Sequence, residues 1–259
     1  MFSLEIHCPP ESLDLLIADL WERGCAGITE LDGGAVRAFF EDAARRQELL
    51  ARYPEAVVRS EEPRDWVREA RDLLQPMAVG ERFFLVPEWR DDPAPAGRFR
   101  IAVNPGLAFG TGVHETTQLV LEALEKSLRP GMTVLDVGTG SGILAEAAEL
   151  LGAGKVFACD IDADAIGIAR RRVARCFVGS VGAVRAGVAD VAMANISPEA
   201  IGELAADLMG CLRPGGMLLA SGFETSEADQ MAGVLQGHGK LLARLQKGRW
   251  ALATVIRPN

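Results

Sequence analysis

The sequence lacks closely spaced cysteine pairs and long apolar runs. Its five cysteines are widely spread, and no two of them form a C-x-x-C pair. A disulfide framework or a zinc site needs closer, paired spacing, so we predict free thiols, a reducing cytoplasmic environment and no metal. No apolar run reaches the ~18 residues that cross a membrane, and the N-terminus lacks a basic region followed by an apolar one. We therefore expect neither a membrane span nor a signal peptide.

A surplus of positive charge is also missing, since the formal net charge is -9. An acidic chain is a poor candidate for holding nucleic-acid phosphates, and we expect no direct nucleic-acid partner. A basic protein partner is compatible with this charge, but many soluble enzymes are acidic without one. The hydrophobic fraction of 49% and the charged fraction of 24% are typical of a globular protein, and 259 residues are enough for a large domain and a small one.

Residues 1–62 carry the pattern of a small α+β domain. Apolar runs predict strands, and apolar residues at helical spacing predict helices, in the order β-α-β-β-α-β. The predicted strands are residues 3–8, 26–31, 35–40 and 56–60, and the predicted helices are residues 11–23 and 41–52. This order is that of the ferredoxin-like fold. We assign residues 63–100 to a connector, with a helix that begins after Pro63 and a strand at 82–87.

From residue 99 onward, strands and helices alternate along the chain. The predicted strands are residues 100–103, 133–137, 155–160, 191–196 and 217–223, and the predicted helices are residues 115–128, 141–152, 163–175 and 226–236, with one more after Pro198. Residues 241–246 and 249–256 are predicted to close the chain as a hairpin. Such alternation predicts a mainly parallel, doubly wound, Rossmann-like sheet, so we expect an α/β domain over residues 101–259.

The most informative motif is a glycine-rich turn in residues 134–142 (VLDVGTGSG), which joins a buried strand to a helix. Ligands of doubly wound sheets bind at the carboxyl ends of the strands, where glycines such as Gly138 and Gly140 let a ligand approach the backbone. Asp160 ends the next strand, where an acid can accept hydrogen bonds from both ribose hydroxyls. Its neighbour Ile161 is a further predicted contact. The motif therefore predicts a nucleoside-containing ligand.

Two ligands share this plan, a dinucleotide such as NAD and S-adenosylmethionine. The dinucleotide motif needs a small third residue so that the helix packs closely and receives the pyrophosphate, but Ile143 stands there. S-adenosylmethionine has no pyrophosphate, and its ammonium group favours a nearby acid, which Asp136 at its strand end can supply. We therefore predict that S-adenosylmethionine is the cofactor, with an NAD oxidoreductase and a merely structural turn as weaker alternatives.

Three further segments sharpen this interpretation: residues 104–117 (NPGLAFGTGVHETT), residues 191–196 (VAMANI), and the connector with Asp65-Trp66, Pro76 and Pro87-Glu88-Trp89. Together they resemble the bacterial ribosomal protein L11 methyltransferase family, over residues 63–257 and, by domain order, the N-terminal domain as well. The resemblance implies that the C-terminal domain binds the methyl donor. It also implies that the N-terminal domain recognises ribosomal protein L11, whose lysine side chains and N-terminal amine would be methylated.

The resemblance further implies a set of donor contacts. These are Thr117, Gly138, Asp160 and Asn195, with Phe109, Gly110 and Thr111 in a loop that covers the donor. The sequence departs from the family in Asn104 and Ser197, where an aspartate and a leucine are common, and in a short segment at 176–190. That segment normally supplies the third strand and the loop that reads adenine. Because it contains no acid before Asp190, we expect backbone groups or apolar contacts to hold adenine.

Methyl transfer from a sulfonium to an amine is a direct displacement, which needs alignment and a neutral amine but no metal. We assign Asn195 the catalytic role of holding the amine, in preference to a turn role. Thr117 is predicted to contact the donor carboxylate. A structural hydrogen bond is favoured for His114 over a role as proton acceptor, and Trp250 is predicted to be a packing anchor. The alternatives are another protein lysine or a small amine as acceptor, and a donor-binding protein without catalysis.

Overall fold

The computed structural model describes residues 2–9, 13–31, 35–40, 42, 45–60, 74–104 and 114–259. Within these ranges, no helix combines the length and the apolarity needed to cross a lipid bilayer. The chain divides into two compact units, Met1–Leu74 and Gln75–Asn259, so residues 75–100 of the predicted connector fall in the second unit. The predicted connector helix after Pro63 lies outside the described residues.

The first unit is a four-stranded antiparallel sheet covered by helices. Its elements are β1 (Phe2–His7), α1 (Leu13–Glu22), β2 (Gly27–Leu31), β3 (Ala35–Phe40), α2 (Arg46–Arg52) and β4 (Val57–Ser60). The strand order is β2-β3-β1-β4. Leu4 and Ile6 of β1 share a buried cluster with Leu20 of α1 and Leu49 of α2, because alternate residues of a strand point to the same side. The ferredoxin-like prediction is confirmed.

The second unit begins with a small sheet of its own. It consists of β5 (Met77–Val79), β6 (Phe83–Pro87) and β7 (Phe99–Val103). β6 pairs antiparallel with β5 and parallel with β7. The alternating pattern suggested that residues 100–103 lie in the large sheet, but β7 pairs in the small one. Hydrophobic patterning identifies a strand without specifying its pairing partner.

The large sheet has seven strands in the order β10-β9-β8-β11-β12-β14-β13. They are β8 (Thr133–Val137), β9 (Lys155–Asp160), β10 (Cys176–Val178), β11 (Ala189–Asn195), β12 (Leu212–Glu224), β13 (Lys240–Lys247) and β14 (Trp250–Ile256). β14 runs antiparallel to its two neighbours, and the other pairs are parallel. The helices of this unit are α3 (Glu115–Ser127), α4 (Ile143–Leu150), α5 (Ala163–Ala169), α6 (Pro198–Gly210) and α7 (Ala228–Gln236). The doubly wound prediction is confirmed.

Both faces of the large sheet are buried under helices. Val134 of β8 belongs to a buried cluster with Leu124 of α3, whereas the next residue, Leu135, belongs to a second cluster with Leu208 of α6 and Leu235 of α7. Strands covered on both faces need apolar residues on both sides, which is why they read as continuous apolar runs. Polar chemistry is therefore left to the ends of the strands, and ligands of such sheets bind at the carboxyl ends.

The short segment at 176–190 still supplies the third strand. It forms β10, and a 3-10 turn at Val181–Ala183 follows it. The helix predicted over residues 163–175 is too long, because α5 ends at Ala169. The residues after Ala169 are therefore available to lead into β10. Asp190, the first acid of the segment, accepts the Thr133 amide at 2.7 Å with its Oδ2. It therefore ties down the amino end of β8 and does not take part in ligand binding at the carboxyl end.

Candidate functional site

A cavity of roughly 670 Å³ opens at the carboxyl ends of β8, β9 and β11. The predicted donor residues that line it are Thr117, Gly138, Gly140, Asp160, Ile161 and Asn195. The parallel sheet brings them together because its strand ends meet on one side. Phe109, Gly110 and Thr111, predicted to cover the donor, lie outside the described residues. The volume falls within the ~300–1,000 Å³ that is typical of small-molecule sites.

The glycine turn after β8 needs a residue without a side chain at Gly138. Its φ is +68°, a backbone conformation that other residues rarely adopt. The amides of Gly138 and Thr139 donate to the Cys159 oxygen at 2.9 and 3.0 Å, which holds the turn against the end of β9. A Cβ atom at Gly138 would lie 2.2 Å from Cγ2 of Ile196. Glycine therefore allows the ends of β8 and β11 to approach each other and the ligand to approach the backbone.

Asp160 is held in place by the backbone around it. Its Oδ2 accepts the Gly140 amide at 2.9 Å, and its Oδ1 accepts the Asp162 amide at 3.0 Å. A carboxylate offers about four lone-pair positions, so both oxygens can accept further hydrogen bonds. An acid fixed in this way at the end of β9 can accept hydrogen bonds from the two hydroxyls of a ribose.

Asp136 is a predicted donor contact that does not line the cavity. It is fully buried below the glycine turn, where the Thr139 hydroxyl donates to its Oδ2 at 2.6 Å. Within the described part of the chain, its Oδ1 has no hydrogen-bond partner. Burial away from water raises the pKa of Asp136 to about 7, and the Thr139 hydroxyl offsets this effect in part. The Asp136 carboxyl therefore supports the glycine turn from below and does not face the cavity.

We expect Asp136 to make the free energy of unfolding fall as the pH rises. Its pKa is about 7 in the folded protein and ~4 in an unfolded chain, so the folded protein binds the extra proton between these values. The contribution of this proton to the free energy of unfolding is complete below the pKa of the unfolded chain and is lost as the pH rises through the pKa of the folded protein. Between about pH 5.5 and pH 8 the free energy of unfolding should therefore fall by about 2 kcal/mol.

Urea unfolding at the two pH values measures this effect. The Asp136→Asn protein should lack the decrease, while Asp229→Asn, which removes an acid that is 94% exposed on α7, should keep it. An Asp136→Asn protein with the same pH dependence as wild type would show that the buried carboxyl is not neutral in the folded state.

The start of α3 brings Thr117 to Asn195. Thr117 is 1% exposed, and its hydroxyl accepts from Nδ2 of Asn195 at 3.4 Å. His114 caps the helix, because its Nδ1 accepts the Thr116 amide and lies 2.8 Å from the Thr116 hydroxyl. Its ring also packs edge-on against Trp250, with ring centroids 4.7 Å apart. His114 thus makes the structural contacts that the sequence favoured over proton transfer.

Part of the cavity wall was missed by sequence reasoning. The missed residues include Gly179, Ser180, Ile196, Ala200, Leu204 and Gly222, and Trp250 lines the cavity as well as packing against His114. Gly222 carried a usable signal, since a glycine at the end of an apolar strand marks a close approach of backbone or ligand. Ser180 carried none, because a serine after a short strand is also an ordinary turn residue.

A mainly parallel seven-stranded sheet, a glycine turn after β8 and an acid at the end of β9 define the fold of the class I S-adenosylmethionine-dependent methyltransferases. The sequence also matches the pattern of the family described as ribosomal protein L11 methyltransferase (PrmA) over residues 33–257. The chain belongs to this family.

Individual relatives agree with this assignment. The ribosomal protein L11 methyltransferase of Burkholderia orbicola is 41% identical over 196 residues, which are 74% of this chain and 65% of that relative. The protein of the same name from Pelotomaculum thermopropionicum is 39% identical over 242 residues, or 89% of this chain and 79% of the relative. A crystal structure of ribosomal protein L11 methylase from Lactobacillus delbrueckii subsp. bulgaricus has a TM-score of 0.66 at 31% identity, covering 72% of this chain and 100% of that chain. The chain thus spans just under two thirds of its Burkholderia relative.

Proposed function

We propose that the protein transfers methyl groups from S-adenosylmethionine to amino groups of ribosomal protein L11, on lysine side chains and on the N-terminal amine. The observation that carries this proposal is the cavity, where Gly138, Asp160 and Asn195 meet in a chain of the L11 methyltransferase family. The relatives are named for L11, which supports the choice of acceptor. The N-terminal unit would recognise ribosomal protein L11. A ribosomal acceptor would place the reaction in the cytoplasm.

The residues around the cavity fit this donor. Asp160 would accept from the ribose hydroxyls, and the amino end of α3 with Thr117 would receive the carboxylate, because a helix N-terminus attracts anions. When the Asp136 carboxyl below the turn is ionised, its negative charge would attract the ammonium group of the donor. When bound, S-adenosylmethionine supplies a methyl group that its sulfonium has already activated. The chain therefore has to align the acceptor and accept it as a neutral amine.

Asn195 would hold the acceptor amine. Its Nδ2 donates to the Thr117 hydroxyl, which leaves its Oδ1 free to accept a hydrogen bond from the amine. A free lysine amine has a pKa of ~10.4 and must lose a proton before it attacks. A cavity that excludes water favours the neutral form, because desolvation penalises the charged one.

A donor-binding protein without catalysis is the competing function. Its support in the sequence was the short segment at 176–190, which left the third strand and the adenine loop in doubt. The structure has β10 in that segment, and Gly179 and Ser180 after it line the cavity. The presence of this strand and of cavity-lining residues after it supports the proposal of an active enzyme.

The test is transfer of labelled methyl from S-adenosylmethionine to ribosomal protein L11 purified from an unmethylated source, followed by mass mapping. We expect label on lysine side chains and on the N-terminal amine. Binding is measured in parallel as a rise in melting temperature with S-adenosylhomocysteine and with NAD. Donor binding without label on L11 would contradict the acceptor, and stabilisation by NAD alone would contradict the methyl donor.

A further inference from the structure

The end of the cavity beyond Asp160 has no charged side chain among the described residues. It is lined by Ile161, Gly179, Ser180, Ala200 and Leu204. The ends of β8, β9 and β10 follow one another across the sheet, about 4.8 Å apart. The glycine turn follows β8, Asp160 ends β9, and Gly179 and Ser180 follow β10. Because Asp160 is the ribose residue of the proposed function, the base on that ribose would lie over the end of β10.

Ser180 brings a hydroxyl group to this end of the cavity. It precedes the 3-10 turn at Val181–Ala183 but makes no side-chain capping bond there. Elsewhere in the described part of the chain, too, its hydroxyl finds no hydrogen-bond partner. The Gly179 amide donates to the Asp160 backbone oxygen at 2.8 Å, which fixes the position of Ser180 relative to the end of β9. The hydroxyl is therefore placed beside the cavity and is available to a ligand.

The rest of this end is apolar. Ile161 is a large aliphatic residue at the cavity, yet it is 81% exposed. Ala200 and Leu204 line the cavity from α6. Apolar walls with a single polar group are typical of sites that hold a flat ring by burial of its faces and orient it with one hydrogen bond.

We propose that this chain reads the purine of its donor by apolar contact and the Ser180 hydroxyl, so that a 6-oxopurine nucleoside binds almost as well as the 6-aminopurine. This inference rests on the proposed function. The 6-amino group of adenine donates hydrogen bonds, and the 6-oxo group of hypoxanthine accepts them. A serine hydroxyl can do either and suits both groups, whereas an ionised carboxylate facing the 6 position can only accept and would favour the amino group of adenine.

The test compares S-adenosylhomocysteine with its deaminated analogue, S-inosylhomocysteine, by calorimetric titration of the full chain. We expect the two Kd values of the wild-type protein to lie within about fivefold of each other. Ser180→Ala should weaken both ligands by a similar factor of about three to ten. Ser180→Asp should raise the preference for the adenine ligand by at least about tenfold.

Ser226→Asp is the matched control, because it adds the same charge at an exposed serine that does not line the cavity. It should keep the wild-type ratio of the two Kd values. A wild-type protein that rejects the deaminated ligand by more than about thirtyfold would overturn the inference, and so would Ser180→Ala with both Kd values unchanged. The ratio of the two wild-type Kd values tests the inference even if Ser180→Asp fails to fold. Binding of neither nucleoside would contradict the proposed function, whereas tight binding of the adenine ligand with rejection of the analogue contradicts this inference alone.

Discussion

Replacing Asn195 with alanine is expected to lower kcat for methyl transfer by about 100-fold or more, because it removes the group that orients the acceptor amine. Binding of the donor should weaken only slightly, because Asn195 is one of several predicted donor contacts and Gly138 and Asp160 remain in place. We expect the Kd for S-adenosylhomocysteine to stay within about threefold of the wild-type value. Labelled-methyl transfer at saturating donor measures kcat, and calorimetric titration measures Kd.

Two comparison variants separate orientation of the amine from loss of structure. Gln246→Ala removes an exposed amide from β13 outside the cavity and should keep the wild-type kcat. Asn195→Asp keeps the size of the side chain but adds a carboxylate, which favours the ammonium form of the acceptor. Its activity should therefore reach its plateau at a higher pH than that of wild type. An Asn195→Ala protein that turns over as fast as wild type would rule out the assigned role.

We expect Gly222→Ala to destabilise the fold and to weaken donor binding by about tenfold or more. Gly222 lies at an irregularity of β12 between Ser221 and Phe223, and its φ is +107°. A Cβ atom there would lie 1.9 Å from the backbone oxygen of Ile196. The ends of β11 and β12 would have to separate, which strains the bond from the Ile196 amide to the Ser221 oxygen. Such strain costs about 2–4 kcal/mol of the free energy of unfolding.

Gly202→Ala is the matched control for the added methyl group. Gly202 lies on α6, and a Cβ atom there would meet nothing within 4 Å. This variant should be more stable than wild type by up to about 1 kcal/mol, because alanine favours a helix over glycine. Urea unfolding measures the stability of both variants, and titration with S-adenosylhomocysteine measures their affinity for the ligand. Wild-type stability and affinity in Gly222→Ala would mean that β11 and β12 can part without cost, which contradicts the close packing seen here.

Prediction from sequence succeeded where structure follows from the local order of the chain. β8 and β9 have the predicted bounds, 133–137 and 155–160, because buried strands are continuous apolar runs that end at a turn or an acid. It was less accurate at α5, which was expected to reach residue 175 and ends at Ala169. Helical spacing persists past that point, but the chain must turn there to form β10, and this requirement comes from the sheet.

The side chain of Asp136 shows a second limit of sequence reasoning. Its place at the end of β8 suggested a contact with the donor, yet the carboxyl lies below the turn and not in the cavity. Side chains alternate along a strand, so Asp136 points to the same face of the sheet as the buried Val134. Sequence position identified an acid at the end of β8, but whether its carboxyl reaches the cavity depends on how the strand end and the turn pack in the folded protein.

By itself the sequence determined the fold class, the glycine turn, the acid on the next strand and the family, because each is encoded in residues close together along the chain. Only the tertiary structure decided which distant residues share the cavity. Asn195 meets Thr117, Gly222 meets Ile196, and Ser180 lies beyond Asp160. These contacts depend on the order and register of parallel strands, which are set by packing across the whole sheet. A residue type such as the glycine at position 222 can mark a close approach, but it does not identify the residue that approaches.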